Sequence, residues 1–208
     1  MIPISDVIPR PTTPVITLIL IALTAGSLAV QWLLPDDRLR EIIHGYGLIP
    51  AAFSWAALLT SLVLHHGVLQ AASNLLAIWI FGASVEDRLG PGRYLAFFVL
   101  AALGAGLADT AVRSGSPWPA LGMSGGVAAL MSAHFVLFPT SRTLVLVPLF
   151  FSMDLVEIPT LMLVGFWLVF QVAGGVGVFA PVAGALAGAL LIWAFRQPAR
   201  ERVEWWGK

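Results

Sequence analysis

Six apolar runs, separated by short polar or glycine- and proline-rich segments, constrain this chain of 208 residues more than any other feature. An α-helix needs about 20 apolar residues to cross the ~30 Å hydrocarbon core of a bilayer. The runs cover residues 15–34, 58–81, 94–112, 124–138, 155–172 and 175–195. Hydrophobic residues make up 59% of the chain and charged residues only 11%, which is unlike the composition of soluble domains. The pattern predicts an all-α membrane protein with six transmembrane helices.

The fourth run begins at Ser124 and is too short to cross a bilayer. Its 15 residues would rise only about 22 Å as a helix. It ends at a polar segment, 139–142, so its first residue is expected inside the membrane, below the opposite surface. Backbone that is not helical at that depth is stable only when protein surrounds it or when it lines a wet cavity. We therefore expect one of these environments for the segment that precedes Ser124.

The positive charges orient the predicted bundle. With six spans, the two tails and the second and fourth loops share one side, which carries eight basic residues: Arg10, Arg88, Arg93, Arg142, Arg196, Arg200, Arg202 and Lys208. The other side carries three: Arg38, Arg40 and Arg113. An excess of Lys and Arg marks the cytoplasmic side. We therefore predict a cytoplasmic N-terminal tail (1–14), a membrane domain (15–195) in a bacterial-type inner membrane, and a basic, tryptophan-containing cytoplasmic tail (196–208).

The charge balance and the residue types exclude several classes of function. Acidic and basic residues are equal in number, so the net charge provides no electrostatic attraction for nucleic acid. The absence of cysteine excludes disulfides and thiolate metal sites. The sequence contains no metal-ligand set and no phosphate-binding loop, and we expect no cofactor. The expected partners are the lipid bilayer and transmembrane helices or a membrane protein complex.

Two stretches of sequence carry a family resemblance. They are LLTSLVLHHGVLQAASNLLAIWIFGASVEDRLG at 58–90 and GMSGG at 122–126. Together with the six-span layout, they resemble the rhomboid intramembrane serine proteases over residues 48–195. The resemblance implies a rhomboid-like bundle in which the serine of Gly-x-Ser-Gly attacks a peptide and a histidine on the sixth helix is its base. It also implies that a histidine and an asparagine on the second helix help the backbone N–H of the serine to hold the oxyanion.

Matched by position, the resemblance makes Ser124 the nucleophile and Gly122 and Gly125 its motif glycines. Asn74 matches the oxyanion asparagine, and Gln70 stands where the oxyanion histidine is usual. A glutamine amide has two N–H donors and can still donate to an oxyanion. Gln70 and Asn74 are four residues apart, so they share one helix face.

Pro181 is the sharper departure from the family pattern. In the stretch FAPVAGALAG at 179–188, Gly184 and Gly188 are in register with the small residues of the sixth helix, but Pro181 occupies the position of the histidine. Proline has no group that can take a proton, and a serine without a base is a poor nucleophile at neutral pH. Removing one member of such a pair costs a factor on the order of 10⁴ or more in rate. Independently of the family, two glycines four apart are typical of close helix packing, here against the fourth helix.

Another histidine could replace the missing base. His65 matches the earlier histidine of the family's second helix, and His66 lies next to it. His66 is four residues before Gln70, on nearly the same stripe and one turn nearer the outer face, which makes it the candidate substitute. His134 is ten residues past Ser124, about 15 Å along the same helix, and is too far away.

Two hypotheses of different classes follow. The first is a rhomboid-like protein that has lost proteolysis and acts by binding transmembrane helices or a membrane protein complex. The second is an active intramembrane serine endopeptidase that uses Ser124 with a displaced base such as His66. A simpler interpretation of Ser124 alone is an N-cap of the fourth helix, a position that serine favours.

Overall fold

The computed structural model describes residues 2–8, 12–148, 153–173 and 177–196. The predicted C-terminal tail after Arg196 and the predicted charge at Arg10 lie outside these ranges. Within them the main elements, in chain order, are β1 (Ile2–Asp6), α1 (Val15–Leu33), α2 (Asp36–Tyr46), α3 (Trp55–Thr60), α4 (Val68–Leu89), α5 (Pro91–Val112), α6 (Ser124–Leu137), β2 (Arg142–Pro148), β3 (Met153–Pro159), α7 (Leu161–Ala173) and α8 (Phe179–Phe195). Short 3₁₀ turns precede and follow α3, at Pro50–Ala52 and Ser61–Val63.

Three of these helices, α1, α4 and α5, are long and apolar enough to cross a membrane. Three further apolar helices, α6, α7 and α8, are shorter, with 14, 13 and 17 residues. The protein is thus an integral membrane protein with a mostly helical chain. That all six helices span, and that α6 begins inside the bilayer, remain predictions of the sequence.

Helix α6 is the centre of the bundle. Every residue from Ser124 to His134 except Ser132 is buried. The helices α4, α5 and α8 pack around it. A helix that is apolar on all sides is stable in this position, because each face meets another helix.

Helix α4 differs from the predicted span 58–81 at both ends. It begins only at Val68, after a loop that holds His65 and His66. Gln31 on α1 fixes this loop, since its Nε2 donates to the His65 carbonyl (2.8 Å) and its Oε1 accepts from the His65 N–H (3.0 Å). The helix also runs on beyond the predicted end at 81, through the charged residues 86–88. It ends at Gly90, whose positive φ of 81° precedes a proline that begins α5.

A three-stranded antiparallel sheet corrects the prediction of an all-α fold. The strand order is β1-β2-β3, and Leu144 of β2 lies between Ser5 of β1 and Glu157 of β3. Strand β3 takes the first residues of the predicted span 155–172, so that α7 begins only at Leu161. A short apolar run rich in valine and isoleucine suits a strand as well as a helix, and periodicity alone does not separate the two. The predicted span 175–195 begins outside the described residues, and the described helix α8 begins at Phe179.

Glu86 anchors the beginning of α1. Its Oε1 accepts from the Ile16 N–H (2.9 Å), and its Oε2 accepts from the N–H and the hydroxyl of Thr17 (2.7 Å each). The N-cap of α1 is Pro14, whose side chain makes no capping bond. The carboxylate of Glu86 therefore satisfies N–H groups that the helix leaves unpaired and lies at the positive end of the helix dipole. Gly82 allows the approach, because a Cβ there would lie 2.8 Å from the Thr17 methyl.

We predict that Glu86→Ala destabilises the folded protein by about 2–4 kcal/mol, since hydrogen bonds to a charged group contribute about 1.5–3 kcal/mol each and buried N–H groups lose their acceptor. The measurement is the thermal unfolding midpoint in detergent. Asp87→Ala is the matched control, because among the described residues the Asp87 carboxylate bonds only Thr12, in an exposed setting. Equal midpoints for the two variants would show that Glu86 is not the anchor of α1.

Candidate functional site

Ser124 is the first residue of α6 and is 2% exposed. It contributes to the wall of a cavity of about 160 Å³, together with residues of the loop that precedes α6. The N-cap position belongs to Met123, and α6 has no side-chain capping bond. The interpretation of Ser124 as a simple N-cap is therefore wrong. Its hydroxyl makes no hydrogen bond within the described part of the chain.

The loop that presents Ser124 is fixed from two directions. The Gly122 N–H donates to the Ser61 carbonyl (2.8 Å), and Gln70 Nε2 donates to the Leu121 carbonyl (3.0 Å). Gly122 has φ of +95°, and a Cβ at this position would lie 2.6 Å from Gln70 Nε2. Glycine is therefore required here both by the backbone conformation and by the space.

Gln70 has structural partners on both sides of its amide. Besides the Nε2 bond to the loop, its Oε1 accepts from the His66 backbone N–H (2.7 Å). One N–H of the amide is thus engaged with the Ser124 loop, and the second has no partner among the described residues. Gln70, which by resemblance stands where the oxyanion histidine is usual, is fully buried and is oriented by two backbone groups.

Asn74 lies one turn further along α4 and is fully buried. Its Oδ1 accepts from Gln171 Nε2 on α7 (2.8 Å). Its Nδ2 is buried and has no partner in the described part of the chain. Asn74 therefore offers one unengaged donor on the face of α4 that also carries Gln70.

The two neighbouring histidines have different surroundings. The His65 side chain is 1% exposed, and burial lowers the pKa of this imidazole to about 4. His66 lines the same cavity as Ser124, and partial burial, followed by the charge of Arg113, lowers the pKa of its imidazole below the ordinary value. Both rings are therefore neutral at neutral pH, the form that can accept a proton. His134, in contrast, bonds Ser84 (3.1 Å) and Ser141 (3.0 Å), away from the cavity.

Pro181 lies in the first turn of α8, on its buried stripe with Gly184, Gly188 and Ile192. The preceding residue, Ala180, lines the cavity, and its carbonyl oxygen would lie 3.2 Å from a Cβ at Gly125. Proline lacks only an N–H in this turn, where helices have no internal partner for it, so the helix continues undisturbed. At Pro181 the buried stripe of α8 therefore carries a saturated ring, which has no titratable group.

The glycines of α8 bring its backbone against that of α6. A Cβ at Gly184 would lie 2.8 Å from the Gly125 Cα, and one at Gly188 would overlap the Ala129 backbone. Gly184 lies against Gly125, and Gly188 lies against Ala129, four residues further along both helices. The two helices therefore run parallel. The expectation that Gly184 and Gly188 pack against the fourth helix agrees with these contacts.

Two further polar features belong to the site. Asp109, on the last turn of α5, and Arg113, which follows the helix, form an ion pair that lines the cavity, with Arg113 Nε 2.9 Å from Asp109 Oδ2. Gln171 on α7 bonds Asn74 and Ser73. In the sequence, Gln171 is recognisable as a lone amide side chain in a strongly apolar run. Such an amide is stable in a bilayer when another helix supplies its hydrogen-bond partners.

The comparisons with known proteins agree with this arrangement. A family model described as the rhomboid domain matches residues 52–198. The rhomboid protease GluP of Bacillus subtilis is 34% identical over 92 residues, which are 44% of this chain and 18% of that protein. The putative rhomboid protease YdcA of the same organism is 34% identical over 88 residues, 39% of this chain and 42% of that protein. The matching segment therefore spans less than half the length of either relative.

We predict that Gly184→Ala destabilises the protein by about 1–3 kcal/mol, the usual cost of forcing a methyl group into a packed contact. The measurement is the thermal unfolding midpoint in detergent. Gly165→Ala on α7 makes the same chemical change where nothing lies within 4 Å of the added Cβ. We expect the control to unfold at or above the native midpoint, since alanine favours a helix over glycine by about 1 kcal/mol. A Gly184→Ala variant as stable as this control would refute the close contact of α6 and α8.

Proposed function

This chain belongs to the rhomboid family, and on that premise we propose that it acts without proteolysis, by binding transmembrane helices or a membrane protein complex. The observation that carries the proposal is Pro181. By resemblance it takes the position of the base histidine, and it lies on the stripe of α8 that faces α6, where it offers no proton acceptor. The Ser124 hydroxyl, in turn, has no hydrogen-bond partner in the described part of the chain.

The preserved shape of the site supports a binding role. The Ser124 loop, Gln70 and Asn74 are held by hydrogen bonds, so the loss of the base has left the surrounding geometry ordered. A cavity of about 160 Å³ remains beside Ser124. In the proposed orientation, with both termini in the cytoplasm of a bacterial-type inner membrane, this cavity opens toward the outer face. Asn74, Gln70 and Ser124 then act as polar contacts for a bound segment rather than as catalysts.

A second candidate function is an active intramembrane serine endopeptidase with His66 as the base. The observation that favours it is that His66 and Ser124 line one cavity and that the imidazole is neutral at neutral pH. In this case Ser124 would be the nucleophile, and Asn74 and Gln70 would stabilise the oxyanion. The base would act from the loop ahead of α4 rather than from α8.

Labelling of Ser124 by a fluorophosphonate probe in native-like membranes separates the two candidates. We expect no labelling of the native chain, because an unactivated serine reacts slowly, and labelling in Pro181→His, which supplies a base beside Ser124. Ser124→Ala is the control for reaction at other hydroxyls. Labelling of the native chain that disappears in both Ser124→Ala and His66→Ala would overturn the proposal and establish the second candidate.

A protein that binds without turnover acts by occupancy, so we expect a lasting complex. Extraction of the tagged chain in mild detergent should recover a membrane protein in constant ratio to it. The matched variant is Ser124→Ala, which should retain the same partner in the same ratio, because binding needs no nucleophile. Recovery of free monomer alone from both chains would contradict the proposed function.

A further inference from the structure

Asp109 and Arg113 are the acidic and basic residues among the described residues that line the cavity beside Ser124. Arg113 Nε donates to Asp109 Oδ2 (2.9 Å), and Arg113 Nη2 donates to the same oxygen. The Asp109 side chain is 4% exposed, whereas that of Arg113 is 24% exposed. A group that enters the cavity therefore reaches the guanidinium more readily than the carboxylate, which its own partner covers.

The guanidinium of Arg113 has donors that Asp109 does not use. A guanidinium carries five N–H groups in a planar fork. Asp109 engages the N–H of Nε and one N–H of Nη2, which lie on one edge of the fork. The two N–H groups of Nη1 and the second one of Nη2 have no hydrogen-bond partner in the described part of the chain. Two parallel N–H groups of this kind bind the two oxygens of a carboxylate.

The stability of the fold does not account for this ion pair. Taking two charges out of water costs free energy that their attraction often only balances, so a buried ion pair is weak evidence for stability. Leu48, Leu58 and Ala105 line the same cavity, and apolar residues in place of the pair would avoid this cost. A role in recognition does account for it, because Asp109 holds the guanidinium in one orientation while the free end of the fork remains available.

The start of α6, which also lines the cavity, offers further donors. Ser124 and Gly125 are its first residues, and the N–H groups at the beginning of a helix have no internal partner and lie at the positive end of the helix dipole. The Ser124 side chain is buried, and its hydroxyl has no partner within the described ranges. After burial, the charge of Arg113 is the second cause that lowers the pKa of the His66 imidazole, which shares the cavity. These groups together suit an anion.

The size of the cavity limits the ligand to one side chain or one chain end. The cavity has a volume of about 160 Å³. A cavity of about 150 Å³ in another protein accommodates one benzene molecule, which has six heavy atoms. A helix is about 10 Å across with its side chains, so it is too wide to enter. A partner can therefore place a single group, such as a carboxylate on a short stem, in this cavity.

We propose that Arg113 binds a carboxylate that the partner inserts into the cavity beside Ser124, and that Asp109 positions the guanidinium for this contact. The inference rests on the proposed function, since it names the chemistry by which the partner is recognised. In the proposed orientation the cavity opens toward the outer face. The partner then carries an aspartate, a glutamate or a free C-terminus at the outer face of the membrane.

Binding of small probes to the full chain, in nanodiscs of zwitterionic lipid at pH 7, tests the proposal. The probe is propionate, and propionamide is its uncharged analogue of similar shape. Trp118 also lines the cavity, so the chain labelled with 5-fluorotryptophan has a ¹⁹F resonance there, which Trp118→Phe assigns. We expect a saturable shift with propionate and an affinity at least about tenfold lower for propionamide, as for the loss of one hydrogen bond to a charged group. Equal affinities, or no shift with either probe, would overturn the proposal.

A double variant separates recognition from simple neutralisation of Asp109. Asp109→Asn with Arg113→Gln removes both charges together, so neither is left buried alone. We expect it to unfold near the native midpoint in detergent and to bind propionate at least about tenfold more weakly. Asp37→Asn with Arg40→Gln is the matched control, because it makes the same two changes in an exposed ion pair of α2 (2.8 Å) and should leave propionate binding unchanged.

Propionate affinity that stays at the native value in the first double variant, or falls equally in both, would contradict the role of Arg113. If the first double variant does not fold, the comparison of propionate with propionamide on the native chain still decides the question.

Further probes in the same assay distinguish the sources of the carboxylate. A glycine pentapeptide with a central glutamate and both ends blocked carries a side-chain carboxylate, and N-acetylated triglycine carries a C-terminal one. The blocked pentapeptide with a central glutamine carries neither. Tighter binding of either acid supports the proposal and names the source, whereas equal binding of all three refutes it. Dimethyl phosphate has the single charge of a lipid phosphodiester, and tighter binding than that of propionate would assign the cavity to lipid and overturn the proposal.

These measurements need neither a partner nor a reactive serine. Propionate binding together with fluorophosphonate labelling of native Ser124 would refute the proposed function and leave Arg113 as a carboxylate-binding residue. Unlabelled Ser124 without propionate binding would refute this inference alone.

Discussion

The approach of the α6 and α8 backbones is the contact on which the rest of the structure depends. In a bilayer there is no hydrophobic gain from bringing two helices together, so close packing has to supply the attraction. Gly184 and Gly188 remove the side chains that would keep these helices apart, and Gly125 offers its own bare backbone to Gly184. This contact buries α6 and places Ser124, its first residue, beside the first turn of α8.

Polar side chains fix the connections around that packed centre. Each one bonds backbone or amide groups of another element: Glu86 bonds the start of α1, Gln31 bonds the loop ahead of α4, Gln70 bonds the Ser124 loop, and Gln171 bonds Asn74. A buried polar group is costly without a partner and stable with one. These four residues therefore select one arrangement of the helices, whereas apolar contacts alone tolerate small shifts.

The structure separates the shape of the site from the chemistry of its base. Pro181, which by resemblance stands at the position of the base, has no proton acceptor, and its place in the first turn of α8 leaves the helix and its glycine stripe intact. The Ser124 loop is held by Ser61 and Gln70 rather than by α8. The conformation of the Ser124 loop therefore does not depend on a titratable group at this position of α8.

The sequence by itself determined the membrane environment and the family, because apolar length and motif spacing are local properties of the chain. It placed Ser124 at the beginning of a helix and predicted that Gly184 and Gly188 would pack against that helix. It gave the wrong limits for α4 and missed the sheet, since β1 and β2 pair across most of the chain and the last turns of α4 carry Glu86, which bonds α1. It also gave Gln171 no role and misjudged Ser124 as a possible N-cap. Only the tertiary structure decided these points, because each depends on which distant group becomes the hydrogen-bond partner.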